Sequence, residues 1–216
     1  MGKRHLVVIS VDALVYEDIE DTSGLPLFAE LIRGGSLTKN VLTVYPSLTH
    51  TVHASIITGQ PAGVTGIVAN TVFTPGEVDM PWYNRLSEIK CGTIFDLTHV
   101  AGMTAAVCHW PVTAGAGDKI DFLLPELMDR DLEEAGRDIV QGYLNIGMSD
   151  CLKEMLAEVL KEHGYANYLS HPDYDEVQID CACEILRRFK PDLLLTHPGT
   201  VDSAALRFLA PVRDDE

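Results

Sequence analysis

Three polar side chains occupy positions in the sequence where an α/β protein could build a site. Asp12 follows the first predicted strand, Thr49 follows the second and opens a helical pattern, and Asp202 follows the last strand, which includes Leu193–Leu195. The carboxyl ends of parallel strands share one edge of a sheet, and open α/β sheets bind their ligands at that edge. The topology could therefore bring all three residues together. Each also has an ordinary structural explanation, because Asp after a strand and Thr at a helix start commonly cap helices.

The elements that would position these side chains follow from hydrophobic periodicity. Short apolar runs alternate with helical patterns, which indicates an α/β fold with a largely parallel sheet. Strands are predicted at Leu6–Val11, within Leu37–Tyr45, at Thr104–Trp110 and at Asp192–His197. Helices are predicted at Pro26–Arg33, His50–Thr58, Thr93–Val100, Asp150–His163 and Glu176–Phe189. The acidic, irregular stretch Asp118–Asp138 is predicted to be a solvated surface segment or an insertion.

The composition limits the classes of function that the chain can have. Its 216 residues carry a formal net charge of −16, which repels polyanions and argues against binding of a nucleic-acid polymer. A small phosphate ester is compatible with this charge, since a bound metal ion can reverse it locally. No apolar stretch approaches the roughly 18–20 residues that cross a bilayer, so we expect no membrane association. Five scattered cysteines and the lack of a signal-peptide pattern predict a cytoplasmic location.

Four segments, in order along the chain, resemble the motifs of one enzyme family. Val7–Leu14 resembles its first-strand motif, and Tyr45–Gly59 resembles its nucleophile motif, in which a Thr or Ser precedes a helix. Gly63–Asn70 resembles the element that follows, and Pro191–Ser203 resembles the strand that delivers a second metal-binding Asp. By these motifs the chain is similar to the nucleotide pyrophosphatase/phosphodiesterase (type I phosphodiesterase) family of the alkaline phosphatase superfamily.

This resemblance implies a fold and a reaction. The fold would be alkaline phosphatase-like, a mostly parallel sheet flanked by helices on both faces, in one α/β domain over residues 1–203. The reaction would be metal-dependent hydrolysis of phosphodiester or pyrophosphate bonds in small nucleotide-like substrates. A complete family member would use two divalent metal ions, which the resemblance implies to be zinc. A sulfatase of the same superfamily would need Cys or Ser at the nucleophile, and Thr49 disfavours it.

The resemblance also assigns roles to four residues. Asp12 would bind the metal ion that activates Thr49, which would be both a ligand and the nucleophile, because coordination lowers the pKa of its hydroxyl. Asn70 would donate a hydrogen bond to a non-bridging phosphoryl oxygen, and a simple turn residue is the alternative. Asp202 would bind the second metal ion, which activates the water that releases the phosphoryl-threonine.

The sequence departs from the family near its end. Leu206 stands where the family has a metal-binding His, four residues after the second Asp, and residues 204–216 form an atypical tail. The chain therefore resembles an N-terminal half that is truncated at its C-terminus, and we expect it alone to have little activity. The alternative is a catalytically inert α/β domain that binds a metal or ligand weakly. A truncated sheet is also expected to expose an edge and apolar surface, which favours self-association.

Four histidines lie near the predicted site without matching a ligand of the family motif. They are His50, His53, His109 and His197. We therefore leave all four out of the predicted metal set, which consists of Asp12, Thr49 and Asp202. His53 is expected to support the helix that carries the nucleophile.

Overall fold

The computed structural model describes residues 4–78, 80–164 and 172–209, and the strands among them form one parallel sheet. These strands are β1 (Leu6–Ile9), β2 (Ala105–Cys108), β3 (Phe122–Leu124) and β4 (Leu193–Thr196). Their spatial order is β1-β4-β2-β3, and each neighbouring pair is parallel. The last strand in sequence thus lies between the first two, and all four strands end at the same edge of the sheet.

Nine α-helices lie within the described residues, and all five predicted helices are among them. They are α1 (Pro26–Gly34), α2 (Thr49–Thr58), α3 (Ala62–Thr65), α4 (Ile94–Val100), α5 (Asp129–Glu134), α6 (Ile139–Asn145), α7 (Lys153–His163), α8 (Asp173–Phe189) and α9 (Thr200–Leu209). Thr49 is the first residue of α2. This helix ends at Gly59, whose φ of +65° lies in the left-handed region that glycine adopts without steric cost.

The side chains of the sheet alternate between two hydrophobic cores, one on each face. Leu193 and Leu195 of β4 pack in a core with Ile57 of α2 and Phe95 of α4. Leu194 packs in the opposite core, which α6, α7 and α8 supply. Burial of a leucine side chain stabilises a fold by about 1.5–3 kcal/mol, so β4 ties both helical layers to the sheet. The predicted class, a mostly parallel sheet with helices on both faces, is therefore confirmed.

The strand predicted within Leu37–Tyr45 is wrong, since this segment has no regular structure. Val41 and Leu42 have 74% and 97% of their surface exposed. An apolar run forms a strand only where a neighbouring strand satisfies the hydrogen bonds of its backbone. No strand in the described ranges lies beside the segment Leu37–Tyr45. Thr49 consequently opens α2 from an extended loop and not from the end of a strand.

The surface segment predicted at Asp118–Asp138 is also wrong, because it contains β3 and α5. Leu123 and Leu124 of β3 are fully buried. Just before β3, the Asp121 carboxylate accepts a hydrogen bond of 2.9 Å from the backbone N–H of Ala105. This bond fixes the beginning of β2. A strand of only three apolar residues is too short for hydrophobic periodicity to distinguish it from a loop.

One edge of the sheet is exposed, as the sequence predicts. β1 pairs only with β4 among the described strands, and Leu6 and Ile9 have 56% and 58% of their surface exposed. Such an edge offers unpaired backbone groups to a second strand. Across the described ranges, no helix combines the length and the apolar character that a membrane span requires.

We expect the chain to self-associate through β1, and Leu6→Lys to shift it towards the monomer, because a charged side chain on an edge strand opposes strand pairing. Size-exclusion chromatography with light scattering at several concentrations measures this shift. Leu97→Lys on α4 is the matched control, since Leu97 is 70% exposed and lies on a helix. A monomeric wild type, or an equal effect of both variants, contradicts association through β1.

Candidate active site

Asp12 and Thr49 meet at the carboxyl edge of the sheet. Asp12 follows β1, and its backbone N–H donates to the carbonyl of Pro198 at 3.0 Å, beside the end of β4. The Thr49 hydroxyl, on the first residue of α2, donates to Oδ2 of Asp12 at 3.2 Å. The predicted proximity of these two residues is thus present. Ala13, the next residue, has φ +57°, a conformation that costs a residue with a Cβ about 1–2 kcal/mol.

His53 holds the start of α2 against the end of β1. Its Nδ1 lies 2.7 Å from the carbonyl oxygen of Thr49, and its Nε2 lies 2.9 Å from Oγ of Ser10. A carbonyl oxygen only accepts hydrogen bonds, so Nδ1 donates to Thr49 and Nε2 accepts from the Ser10 hydroxyl. Burial lowers the pKa of His53 to about 3, which keeps the ring in this neutral form. His53 therefore holds the start of α2 in place, which is the structural role expected for it from the sequence.

Asn70 holds α2 from the other side. Its Oδ1 accepts a hydrogen bond of 3.0 Å from the backbone N–H of His50, the second residue of α2. Because Oδ1 is the acceptor, the NH₂ group is the free end of the amide, and no described residue accepts from it. The predicted role of Asn70 as an oxyanion donor stays a prediction.

Asp202 lies in the first turn of α9, which follows β4. The start of this helix is fixed by Asp175 of α8, whose carboxylate accepts from the backbone N–H groups of Gly199 and Thr200 at 3.1 and 2.8 Å. The position of Asp202 after the central strand agrees with the predicted topology. Its role as a ligand of a second metal ion stays a prediction.

His197 and His109 also follow strands of the sheet, but their surroundings differ. Nδ1 of His197, after β4, lies 2.9 Å from the carbonyl of Ser10, and its Nε2 lies 3.6 Å from Oδ2 of Asp12. His109, after β2, is turned towards the α6–α8 layer, where its Nε2 contacts the Tyr143 hydroxyl at 2.5 Å. His197 is therefore part of the Asp12–Thr49 site, and His109 belongs to the adjoining core.

Glu126 is a polar residue of this edge that the sequence analysis missed. It lies just after β3, and one of its carboxylate oxygens, Oε2, is buried 3.9 Å from Nε2 of His50. Neither this oxygen nor the ring nitrogens of His50 form a hydrogen bond with a described residue. Burial, and then the charge of Asp12, raises the pKa of Glu126 to about 7, and burial lowers that of His50 to about 4. The available signal was an acidic residue two positions after the apolar trio Phe122–Leu124.

The donors at Asp12 and Thr49 are of the kind that binds a divalent cation. A carboxylate oxygen and a hydroxyl oxygen 3.2 Å apart can share one ion, and the Asp12 side chain is 25% exposed, which leaves access for solvent or substrate. Within the described part of the chain, no three His, Cys, Asp or Glu side chains are grouped as a metal site. The residues thus fit a cation only if other donors, protein or substrate, complete its shell.

A sequence profile described as type I phosphodiesterase / nucleotide pyrophosphatase matches residues 6–210. No curated protein sequence matches the chain. Solved structures of similar fold include phosphonoacetate hydrolase from Sinorhizobium meliloti in complex with phosphonoformate, with a TM-score of 0.56, 19% identity and 93% of this chain covered. Murine ectonucleotide pyrophosphatase/phosphodiesterase 5 matches with a TM-score of 0.53, 18% identity and 94% covered. The chain spans 47% and 45% of these two proteins, so it corresponds to about half of each.

Three buried imidazoles should make the fold less stable in acid. Burial lowers the pKa of His50 to about 4 and those of His53 and His109 to about 3, from the ordinary 6.5. Below about pH 6.5 these histidines are therefore protonated in the unfolded chain but not in the folded chain. The free energy of unfolding decreases as the pH falls below this value. Glu126 acts in the opposite direction, since its raised pKa makes the folded chain keep a proton that the unfolded chain loses.

His109→Gln should isolate one of these contributions. Removing one titrating imidazole should reduce the slope of unfolding free energy against pH by about 1 kcal/mol per unit between about pH 4 and 6. Urea unfolding at a series of pH values measures the slope. His99→Gln is the control, because His99 is exposed on α4. Identical slopes for wild type and His109→Gln would show that His109 is already protonated in the folded state.

Proposed function

Because the chain belongs to the type I phosphodiesterase / nucleotide pyrophosphatase family, we propose that it carries the nucleophile half of a metal-dependent phosphohydrolase site. The proposed substrates are small nucleotide-like molecules with a phosphodiester or pyrophosphate bond. One observation carries the proposal: the Thr49 hydroxyl, at the first position of a helix, donates to the Asp12 carboxylate at the carboxyl edge of a parallel sheet. A hydroxyl, a carboxylate and a helix N-terminus therefore lie together, which supports the proposed nucleophile and metal ligand.

Thr49 is proposed to attack phosphorus through Oγ1. The Oγ1–P bond forms as the P–O bond to the leaving group breaks. The hydroxyl proton would pass to water, because the hydrogen bond from Thr49 to Oδ2 of Asp12 gives way when a cation binds both oxygens. Water then cleaves the phosphoryl-threonine and restores the hydroxyl. A divalent cation held by Asp12 and Thr49, proposed to be zinc, would supply the positive charge that lowers the pKa of the hydroxyl.

The phosphoryl oxygens are proposed to be held by α2 and Asn70. The N-terminus of a helix offers N–H groups and the positive end of the helix dipole, which together attract an anion. Asn70, which accepts a hydrogen bond from the His50 N–H, is proposed to donate from its NH₂ group to the same oxygens. Asp202, in the first turn of α9, is proposed to hold the second cation, which serves the attacking water.

Thr49→Ala should remove nearly all turnover and leave the fold intact, because it deletes the nucleophile from a surface-facing helix start and no core contact. Thr49→Ser is the matched variant, since it keeps a hydroxyl, and it should retain measurable activity. The assay is hydrolysis of a chromogenic thymidine monophosphate ester in excess zinc. We expect low turnover even for the wild type, because the described residues group no three His, Cys, Asp or Glu side chains as a metal site. A loss of only a few-fold in Thr49→Ala would show that water attacks directly.

Asn70→Ala should reduce turnover by about 10²-fold, the usual effect of removing one donor to a developing oxyanion. The reduction should appear in kcat, because this contact strengthens only as charge develops. Asn70→Asp is a second variant, since it can still accept from the His50 N–H while it loses the NH₂ group. Full activity in Asn70→Asp would assign Asn70 a capping role only.

Absence of any turnover that depends on Thr49 would instead identify the chain as an inert domain.

A further inference from the structure

His197 is held in an orientation that fixes which of its nitrogens carries a proton. Its Nδ1 lies 2.9 Å from the backbone carbonyl of Ser10, and this oxygen can only accept a hydrogen bond. Nδ1 is therefore the protonated nitrogen, and the neutral ring presents the lone pair of Nε2. The ring is only 6% exposed and packs on the ring of His53, with 4.0 Å between centroids.

The Nε2 lone pair faces the carboxylate of Asp12. The distance from Nε2 to Oδ2 of Asp12 is 3.6 Å, and the same oxygen lies 3.2 Å from the Thr49 hydroxyl oxygen. Two electron-rich atoms so placed repel each other unless a positive charge lies between them. A proton on Nε2 would make an ordinary ion pair, whereas a cation between the atoms would make His197 a ligand.

The distances from Oδ2 of Asp12 to Nε2 of His197 and to Oγ1 of Thr49 are similar to the distances between ligand atoms in a metal coordination shell. Zinc binds imidazole nitrogen and carboxylate oxygen at about 2.0–2.2 Å, and two such donors in a tetrahedral shell are about 3.3–3.6 Å apart. The observed separations of 3.6 and 3.2 Å lie at or close to this range. Imidazole ligands of metals also commonly donate their other N–H to a backbone carbonyl, as His197 does to Ser10.

We propose that Nε2 of His197 is a third protein ligand, with Asp12 and Thr49, of one divalent cation of the zinc class. This inference rests on the proposed function, because it needs a cation at Asp12 and Thr49. It also raises the number of protein donors for this cation to three, the number that catalytic zinc sites normally have. The Asp12 side chain is 25% exposed, so a substrate oxygen or water could reach a cation held there.

Zinc binding to the metal-free 216-residue chain tests the inference without any enzymatic assay. His197→Asn should weaken zinc binding at least tenfold in isothermal titration calorimetry, because Asn can keep an N–H bond to Ser10 while it has no atom at the Nε2 position. Asp12→Asn should weaken binding at least as much. His99→Asn is the matched control and should bind zinc as the wild type does, since His99 is exposed on α4.

The outcomes separate the inference from the proposed function. Binding to His197→Asn within twofold of the wild type, together with loss in Asp12→Asn, overturns the inference and leaves the proposed cation in place. No zinc binding by the wild type, or binding that Asp12→Asn does not change, overturns both.

A measurement on the wild type tests the inference even if His197→Asn does not fold. With Co²⁺ in place of zinc, a ligating imidazole whose Nδ1–H is bonded to Ser10 should give a strongly shifted, solvent-exchangeable proton NMR signal. Absence of such a signal in the cobalt-loaded wild type overturns the inference.

Discussion

The imidazole of His53 joins the first turn of α2 to the end of β1, and the geometry of the candidate site depends on this attachment. The helix does not continue a strand, since the residues before it form an extended loop. Its start is fixed by the His53 contacts to Thr49 and Ser10, at 2.7 and 2.9 Å, and by Asn70 on the other side. Side chains, and not the backbone ladder of the sheet, therefore set the distance between Thr49 and Asp12.

Charge explains why a site of this kind needs a cation. The chain carries a formal net charge of −16, and Asp12 adds a carboxylate at the point where a phosphate would approach. The surrounding imidazoles do not offset it, because burial lowers the pKa of His50 to about 4 and that of His53 to about 3. Neutral rings leave lone pairs, which are suited to binding a metal ion, and a dication would reverse the local charge for a phosphate ester.

The fold and part of the site could be predicted from sequence, for physical reasons that differ between elements. The five long helical patterns and the strands at β1, β2 and β4 have enough apolar residues to show their period. β3 has only three residues, which is too few to show a hydrophobic period. The sequence analysis therefore did not predict this strand, nor the position of Glu126 after it. The strand predicted within Leu37–Tyr45 failed because a strand needs a neighbour, which no local pattern specifies. The orientation of His197 depends on the Ser10 carbonyl, 187 residues away in sequence.

Crystallographic location of the metal ion tests the central claim most directly, namely that Asp12 and Thr49 form a metal-assisted nucleophile site. Crystals of the chain grown with excess zinc and measured at wavelengths on both sides of the zinc absorption edge give a map of the metal alone. The account predicts an anomalous peak within about 2.0–2.2 Å of Oδ2 of Asp12 and of Oγ1 of Thr49. Well-ordered density for both side chains with no anomalous peak between them would contradict it.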